Sequence, residues 1–198
     1  MEFKLFDLWP QTNITINDPG LKKYIILDPK LFPRSKGRLA KKKFGKAKMH
    51  IVERLINQLQ VPGHRGKKHK IITEWATGKY NKKVKIVIKA FKIIEEKTKQ
   101  NPLQVFINAI ENSAPRDEIT TIEYGGARYP IAVDISPLRR LALAIRHIVW
   151  GAYDKSFNKK LKIHEALAEE ILLASKNSME SYAIKRKTEI EKQADSAR

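Results

Sequence analysis

Lysine and arginine are the residues whose types and spacing point most directly to a chemistry. Eight of them, Arg34, Lys36, Arg38, Lys41, Lys42, Lys43, Lys46 and Lys48, fall in the stretch RSKGRLAKKKFGKAK, which holds no acidic residue. The chemistry of such a run is attraction and hydrogen-bond donation to phosphate oxygens. It is either a solvated arm or a phosphate-binding arm that orders on a polyanion. The lack of screening acids, with Gly37 and Gly45 inside the run, favours the second. A second group, Arg139, Arg140, Arg146 and His147, falls off the apolar stripe of a later helix, and arginine forks match phosphate geometry better than lysine does.

No pattern of comparable strength points to catalysis. Neither a P-loop nor a dinucleotide-binding glycine pattern is present, and nothing places a nucleophile beside a base with an orienting third group. His64 and His69 lack carboxylate or cysteine company, so neither a metal nor a cofactor is expected. The chain has no cysteine, which excludes disulfides and thiolate metal centres. A binding protein is expected, not an enzyme.

Composition agrees. With 40 Lys+Arg against 21 Asp+Glu the net charge is +19, an excess that favours nucleic acid as partner. The 42% apolar content is enough for a real core. Positive charge is concentrated in the first half, whereas residues 101–135 carry two basic and five acidic side chains. The start, MEFKLFDLWPQ, has neither the basic opening nor the apolar run of a signal peptide. No window approaches the roughly 20 apolar residues of a membrane span, so no membrane partner is expected.

The elements that must position these charges can be read from periodicity and caps. Residues 1–33 read as a proline-interrupted segment laid along a surface, with Phe3, Leu5, Phe6, Leu8 and Trp9 apolar. A helix over Ala47–Gln60 has a stripe of Val52, Leu55, Ile56 and Leu59. A second, Lys79–Gln100, buries Val84, Val87, Ile88, Phe91 and Ile94. Its lysine face of Lys82, Lys85, Lys89 and Lys92 is either solvated or in contact with phosphate. Asn101 and Ser136 each precede a proline at a first helical position, which predicts helices from Pro102 to Ala114 and from Pro137 to about Tyr153. The first buries Leu103, Phe106, Ile107 and Ile110; the second buries Leu138, Leu141, Ala142, Ile145, Ile148 and Val149.

Between these two helices Gly125-Gly126 predicts a tight turn in a two-stranded ribbon over about 118–134. Tyr129, Ile131 and Val133 alternate as on a half-buried strand, and Pro130 is expected at an open edge. A helix over Lys159–Ser175 has Ile163, Leu167, Ile171 and Ala174 inside and Glu165, Glu169 and Glu170 outside. A last one, about Ser178–Ala194, is capped by Ser178. The expected fold is mainly α: a six-helix, bundle-like body with a protruding antiparallel β-hairpin and a basic N-terminal extension. The extension spans 1–45 and the helical domain 46–198.

The blocks IVERLINQL (Ile51 to Leu59), NPLQVFINAIENSAPR (Asn101 to Arg116) and YGGARYPIAVDISPLRR (Tyr124 to Arg140) resemble those of the universal small-subunit ribosomal protein family seven, in its archaeal and eukaryotic form. ALAEEILLA, SYAIKRKTEIEK, KLFDLW and the basic run extend the likeness over nearly the whole chain. The resemblance implies a structural, RNA-binding protein of the cytoplasmic ribosome, bound to the 3′ major (head) domain of 16S rRNA, where it nucleates head assembly. It also implies a ribbon beside the exit-site tRNA and mRNA, and a protein neighbour, family eleven of the same subunit.

By the same resemblance, rRNA contact falls on the basic arm and on Lys79, Lys82 and Lys83 where the third element is entered. Arg116, Arg128, Arg139, Arg140 and Arg146 complete the set. The hairpin tip, Tyr124, Gly125, Gly126, Ala127 and Arg128, is the part near tRNA and mRNA. The family's single glycine-lysine-lysine loop has two candidates here, Gly66-Lys67-Lys68 and Gly78-Lys79, so residues 61–77 look enlarged. An architectural DNA-binding protein gripping the minor groove with the ribbon is the alternative. It requires a basic or wedge-bearing ribbon, and Glu118 and Glu123 argue against a general phosphate grip there.

Overall fold

A computed structural model describes residues 4–61, 64–65, 70–71 and 78–198. Among them the body is built from α1 (Pro19–Lys22), α2 (Ile51–Leu59), α3 (Tyr80–Thr98), α4 (Pro102–Ser113), α5 (Pro137–Ser156), α6 (Ile163–Ser175) and α7 (Tyr182–Asp195). Strands β1 (His64–Arg65) and β2 (Lys70–Ile71) form one short antiparallel pair, and β3 (Asp117–Tyr124) and β4 (Ala127–Asp134) form the hairpin. The six expected helices correspond to α2 through α7, so the fold is the mainly helical body with a hairpin read from the sequence. The extra turn, α1, starts at Pro19, and the Asp18 carboxylate accepts the Gly20 N–H at 2.8 Å.

Helix α6 lies at the centre and touches α3, α4, α5 and α7. Its buried apolar positions are Ala166, Leu167, Ala168, Ile171 and Ala174, and the alanines let four neighbours approach closely. Around it Val87, Phe91, Ile94, Leu103, Phe106, Ile110, Leu141, Ile145 and Ile148 close the core. Each such large side chain contributes roughly 1.5–3 kcal/mol on burial.

The segment expected along a surface lies along the body and sinks Leu5 and Trp9 into this core, while Leu8 stays exposed. Leu5 and Trp9 are buried, and the Trp9 ring meets Phe91 edge-on at 5.6 Å. The Trp9 indole N–H donates to Glu95 at 2.9 Å, which satisfies the one polar atom the ring carries inward. Downstream, the segment runs along α4. Asn101 donates to the Pro10 carbonyl (2.8 Å), Gln104 exchanges hydrogen bonds with Thr15, and Glu111 accepts the Asn17 and Asp18 N–H groups at 2.7 and 2.9 Å.

Several boundaries differ from expectation for local reasons. Helix α2 begins at Ile51, not Ala47, because the His50 Nδ1 accepts the Val52 N–H (3.2 Å) as N-cap while Gly45–Lys48 turn as a 3-10 helix. Helix α6 starts at Ile163, where the Glu165 carboxylate reaches back to the Lys162 N–H at 3.0 Å. Ser181, not Ser178, caps α7: its hydroxyl accepts the Ile184 N–H at 3.3 Å. Helix α5 runs past Tyr153 to Ser156, and Ser136 holds the N-cap position without a side-chain cap bond.

Three polar and several apolar expectations are also corrected. Glu170 is fully buried, not outside, and His147 is 3% exposed. Lys83 is 5% exposed and turned inward. Leu138, Ala142, Ile88 and Ile163 are only half-buried, whereas Leu143 and Ala144 are buried in α5.

The hairpin closes with Tyr124 opposite Ala127, and Gly125 and Gly126 have φ of 56° and 81°. That is the left-handed pair a two-residue turn with the right twist requires. Ladder bonds alternate, so Pro130, opposite Thr121, falls at a position that needs no N–H. The expected half-buried face is absent: Ile122, Tyr124, Tyr129, Ile131 and Val133 share one face and are all exposed. The body holds the lower part of the hairpin, through the Arg116 N–H to Glu191 (3.0 Å), Arg198 to Asp117 (2.7 Å) and Arg139 to Glu118 (2.7 Å), with α7 beside both strands.

Candidate nucleic-acid interface

The basic arm leaves the body at a fixed point. Glu53 of α2, 4% exposed, accepts both the N–H and the hydroxyl of Ser35, at 2.7 and 2.6 Å. Arg34 lies 5.2 Å from the Tyr80 ring centroid, and the Tyr80 hydroxyl donates to the Pro33 carbonyl. Beyond this anchor Lys36, Arg38, Lys41, Lys42, Lys43, Lys46 and Lys48 are exposed, and no carboxylate pairs with any of them among the described residues. Phe44, in the middle of the run, is 70% exposed with φ of 56° and has the Lys43 ammonium 5.6 Å from its ring. No apolar periodicity in the sequence singles out Phe44. An aromatic ring presented among phosphate-seeking lysines suits stacking on a base.

The arm's end returns to the body at α5. Lys46 shares a cleft of about 290 Å³ with Arg54, Ser136, Leu138, Arg139, Ala142, Leu143 and Arg146. Burial, with the Arg54 and Arg146 charges behind it, pushes the Lys46 ammonium below its usual range. Arg146 lies 5.8 Å from the Trp150 ring centroid. Arg54 was not anticipated. It is 4% exposed, and none of its three guanidinium nitrogens has a hydrogen-bond partner among the described residues. Burial pushes it down to about 10, which leaves it charged at neutral pH. The one sequence signal was its place a helical step from Ile51, at the edge of the α2 stripe.

The remaining predicted residues divide. Lys79 and Lys82 are exposed at the start of α3, with Lys85, Lys89 and Lys92 further along the same helix. Lys83 donates to the Tyr153 hydroxyl (3.2 Å), which in turn donates to the Leu59 carbonyl (3.1 Å), so it is a structural lysine and not a surface cation. Arg140 bonds Asp18 at 2.7 Å and the Pro115 carbonyl at 3.1 Å, tying α5 to α1. Arg139 and Glu118 pair at 2.7 Å, and Arg128 and Glu123 at 3.4 Å. Arg116 is exposed, as are Tyr124, Gly125, Gly126, Ala127 and Arg128 at the tip, with Tyr124 at 82%. Gly66-Lys67-Lys68, His69 and the side chain of His64 lie outside the described residues.

Among the described residues no helix is long and apolar enough to cross a membrane. A helical body with an acid-free basic arm, a cationic cleft and a projecting hairpin defines a polyanion-binding structural protein. The family model described as Ribosomal protein S7p/S5e matches residues 21–198. A relative from Nanoarchaeum equitans (strain Kin4-M), named small ribosomal subunit protein uS7, is 60% identical over 198 residues, covering the whole of both chains. The chain belongs to the Ribosomal protein S7p/S5e family. It is a non-enzymatic structural component of the small ribosomal subunit that binds 16S rRNA and serves translation on the cytoplasmic ribosome.

Proposed function

We propose that this protein binds the 3′ major (head) domain of 16S rRNA and nucleates head assembly there. In that arrangement it holds its hairpin toward the exit-site tRNA and mRNA. The observation that carries this reading is the division of labour between arm and hairpin: exposed, unpaired cations on Lys36–Lys48 against paired arginines on β4 and α5. Phosphate contact is assigned to Lys36, Arg38, Lys41, Lys42, Lys43, Lys46 and Lys48, joined by Lys79, Lys82, Arg116 and Arg146. Phe44 is assigned a base-stacking contact. The hairpin, with one exposed apolar face and Tyr124 at its tip, suits a neighbour that offers rings or apolar surface. Family eleven of the same subunit is the proposed protein neighbour. The minor-groove DNA alternative is disfavoured because Arg128 and Arg139 are already engaged by Glu123 and Glu118.

Hydroxyl-radical footprinting of 16S rRNA by the isolated protein tests the reading. Protection confined to the head domain, weakening steeply with salt, is the expected outcome. Equal affinity for unrelated duplexes of the same length would sink it. For the hairpin, a photo-crosslinker at Gly126 in assembled subunits is expected to reach exit-site tRNA.

A further inference from the structure

A buried guanidinium without a partner is costly, because the charge has left water and gained nothing in return. Arg54 is in that condition on the body side of the cleft, with all three nitrogens sequestered. Its surroundings do not relieve it. Lys46 and Arg146 add positive charge, and Arg139 is turned to Glu118. Ser136 opens α5, a helix of 20 residues, and its hydroxyl makes no cap bond. A helix start and three cations converge on one cleft, and no acid lines it.

We infer that Arg54, with Lys46, Arg146 and Ser136, forms a seat for a single phosphate group of the bound RNA. The occupant has to be anionic, because every charged group lining the cleft is a cation. It has to be small, because the opening holds about 290 Å³. The half-buried Leu138 and Ala142 beside it fit the apolar edge of a sugar and not a second phosphate. The arm supplies exchangeable surface contacts, whereas this seat fixes register: one phosphate, held by a fork whose position α2 sets rigidly. The inference rests on the RNA-binding reading, and it names a residue that burial would ordinarily assign to packing.

The test compares the full-length protein with Arg54→Met, which keeps the length and removes the charge. Binding to a transcribed head-domain fragment is measured across a salt series, together with the midpoint of thermal unfolding. The expected result is an affinity lower by about tenfold or more, a salt slope shallower by about one charge, and an unfolding midpoint equal to or above that of the parent. Equal affinity and slope in the variant overturn the inference. A weaker variant whose midpoint has also fallen overturns it as well, because that is the signature of a packing residue. A second measurement needs no RNA: sulfate raises any protein's midpoint over chloride by exclusion from its surface, and at matched ionic strength the rise is expected to be larger for the parent than for Arg54→Met. An equal rise in parent and variant overturns the seat. If sulfate acts through Arg54 but the parent ignores head-domain RNA, the anion site stands and the proposed function fails.

Discussion

The carboxylate of Glu170, wholly buried, lies 2.9 Å from the ammonium of Lys155 and accepts the Ser181 hydroxyl at 2.7 Å and the Ala183 N–H at 3.1 Å. One side chain of α6 therefore joins α5 to the first turn of α7. Gly151 makes room for it, since a Cβ there would meet the Glu170 carboxyl carbon at 2.9 Å and the Tyr182 Cβ at 2.8 Å.

Glu170→Ala is expected to cost about 3–5 kcal/mol, because it strands the Lys155 charge and two donors at once. Chemical denaturation reads the loss. Gly151→Ala is expected to cost about 1–3 kcal/mol by overpacking the same spot. If α7 is docked mainly by its apolar face, both losses will be under 1 kcal/mol and the idea fails.

Stability is expected to fall on mild acidification because of His50. It is fully buried, its Nδ1 accepts the Val52 N–H, and its Nε2 lies 3.2 Å from the Gln11 side-chain oxygen, which makes Nε2 the N–H donor and the ring neutral. Burial first, then the Lys30 charge, against an opposing effect of Asp28, pushes it down to about 4 from 6.5. The unfolded chain takes up this proton as pH falls through 6.5, while the folded chain resists until near 4. Stability is therefore full above 6.5 and drops by about 3 kcal/mol across that window. Denaturant midpoints measured from pH 7.5 to 4 should show this slope, and His50→Asn, which retains a capping oxygen, should flatten it.

Neighbouring lysines on α3 are expected to behave oppositely. Lys82→Met should weaken head-domain RNA binding severalfold and reduce the salt slope by about one charge, with stability unchanged. Lys83→Met should leave RNA affinity and slope unchanged, because its ammonium is spent on Tyr153. Filter binding of both variants at several salt concentrations checks the pair.

Replacing both turn glycines with alanine, Gly125→Ala with Gly126→Ala, is expected to loosen the hairpin tip without touching the body. Each alanine costs roughly 1–2 kcal/mol in the left-handed region. The free end of the hairpin has no core to offset that cost. Faster amide exchange over Ile122–Tyr129 with an unchanged body midpoint is the expected result; a lowered midpoint would mean that the tip contributes to the fold.

The helices, the two proline starts and the GG turn were legible because local chemistry fixes them: Asn101 accepts the Leu103 N–H at 3.0 Å within its own turn. Residues whose role depends on a distant partner were not legible. Glu170 looks like a solvated acid until α7 folds back on it, and Lys83 looks like an RNA-contacting cation beside Lys82 until Tyr153, 70 residues on, turns up beside it. His147 sits among arginines in sequence but packs near Trp150, with ring centroids 5.9 Å apart. Arg54 carries the same lesson for the cleft, whose other walls come from the arm's end at Lys46 and from α5. On the hairpin the alternation was real, but alternation reports an amphipathic strand and does not say what covers it.

The stretch from Leu5 to Asp18 settles only as its partners further along the chain are made. Trp9 waits for Glu95, Thr15 for Gln104, Asn17 for Glu111, and Asp18 for Arg140, 122 residues later. On the translating ribosome that makes Trp9, Thr15 and Asn17 a free lead until α3 and α4 have emerged, and Asp18 until α5 has, since domain pieces dock only when their partners exist. The basic arm that follows is tethered on its N-terminal side by this same stretch. A newborn copy nonetheless gains the arm's point of departure as soon as α2 supplies Glu53 and α3 supplies Tyr80, well before Asp18 can find Arg140 on α5.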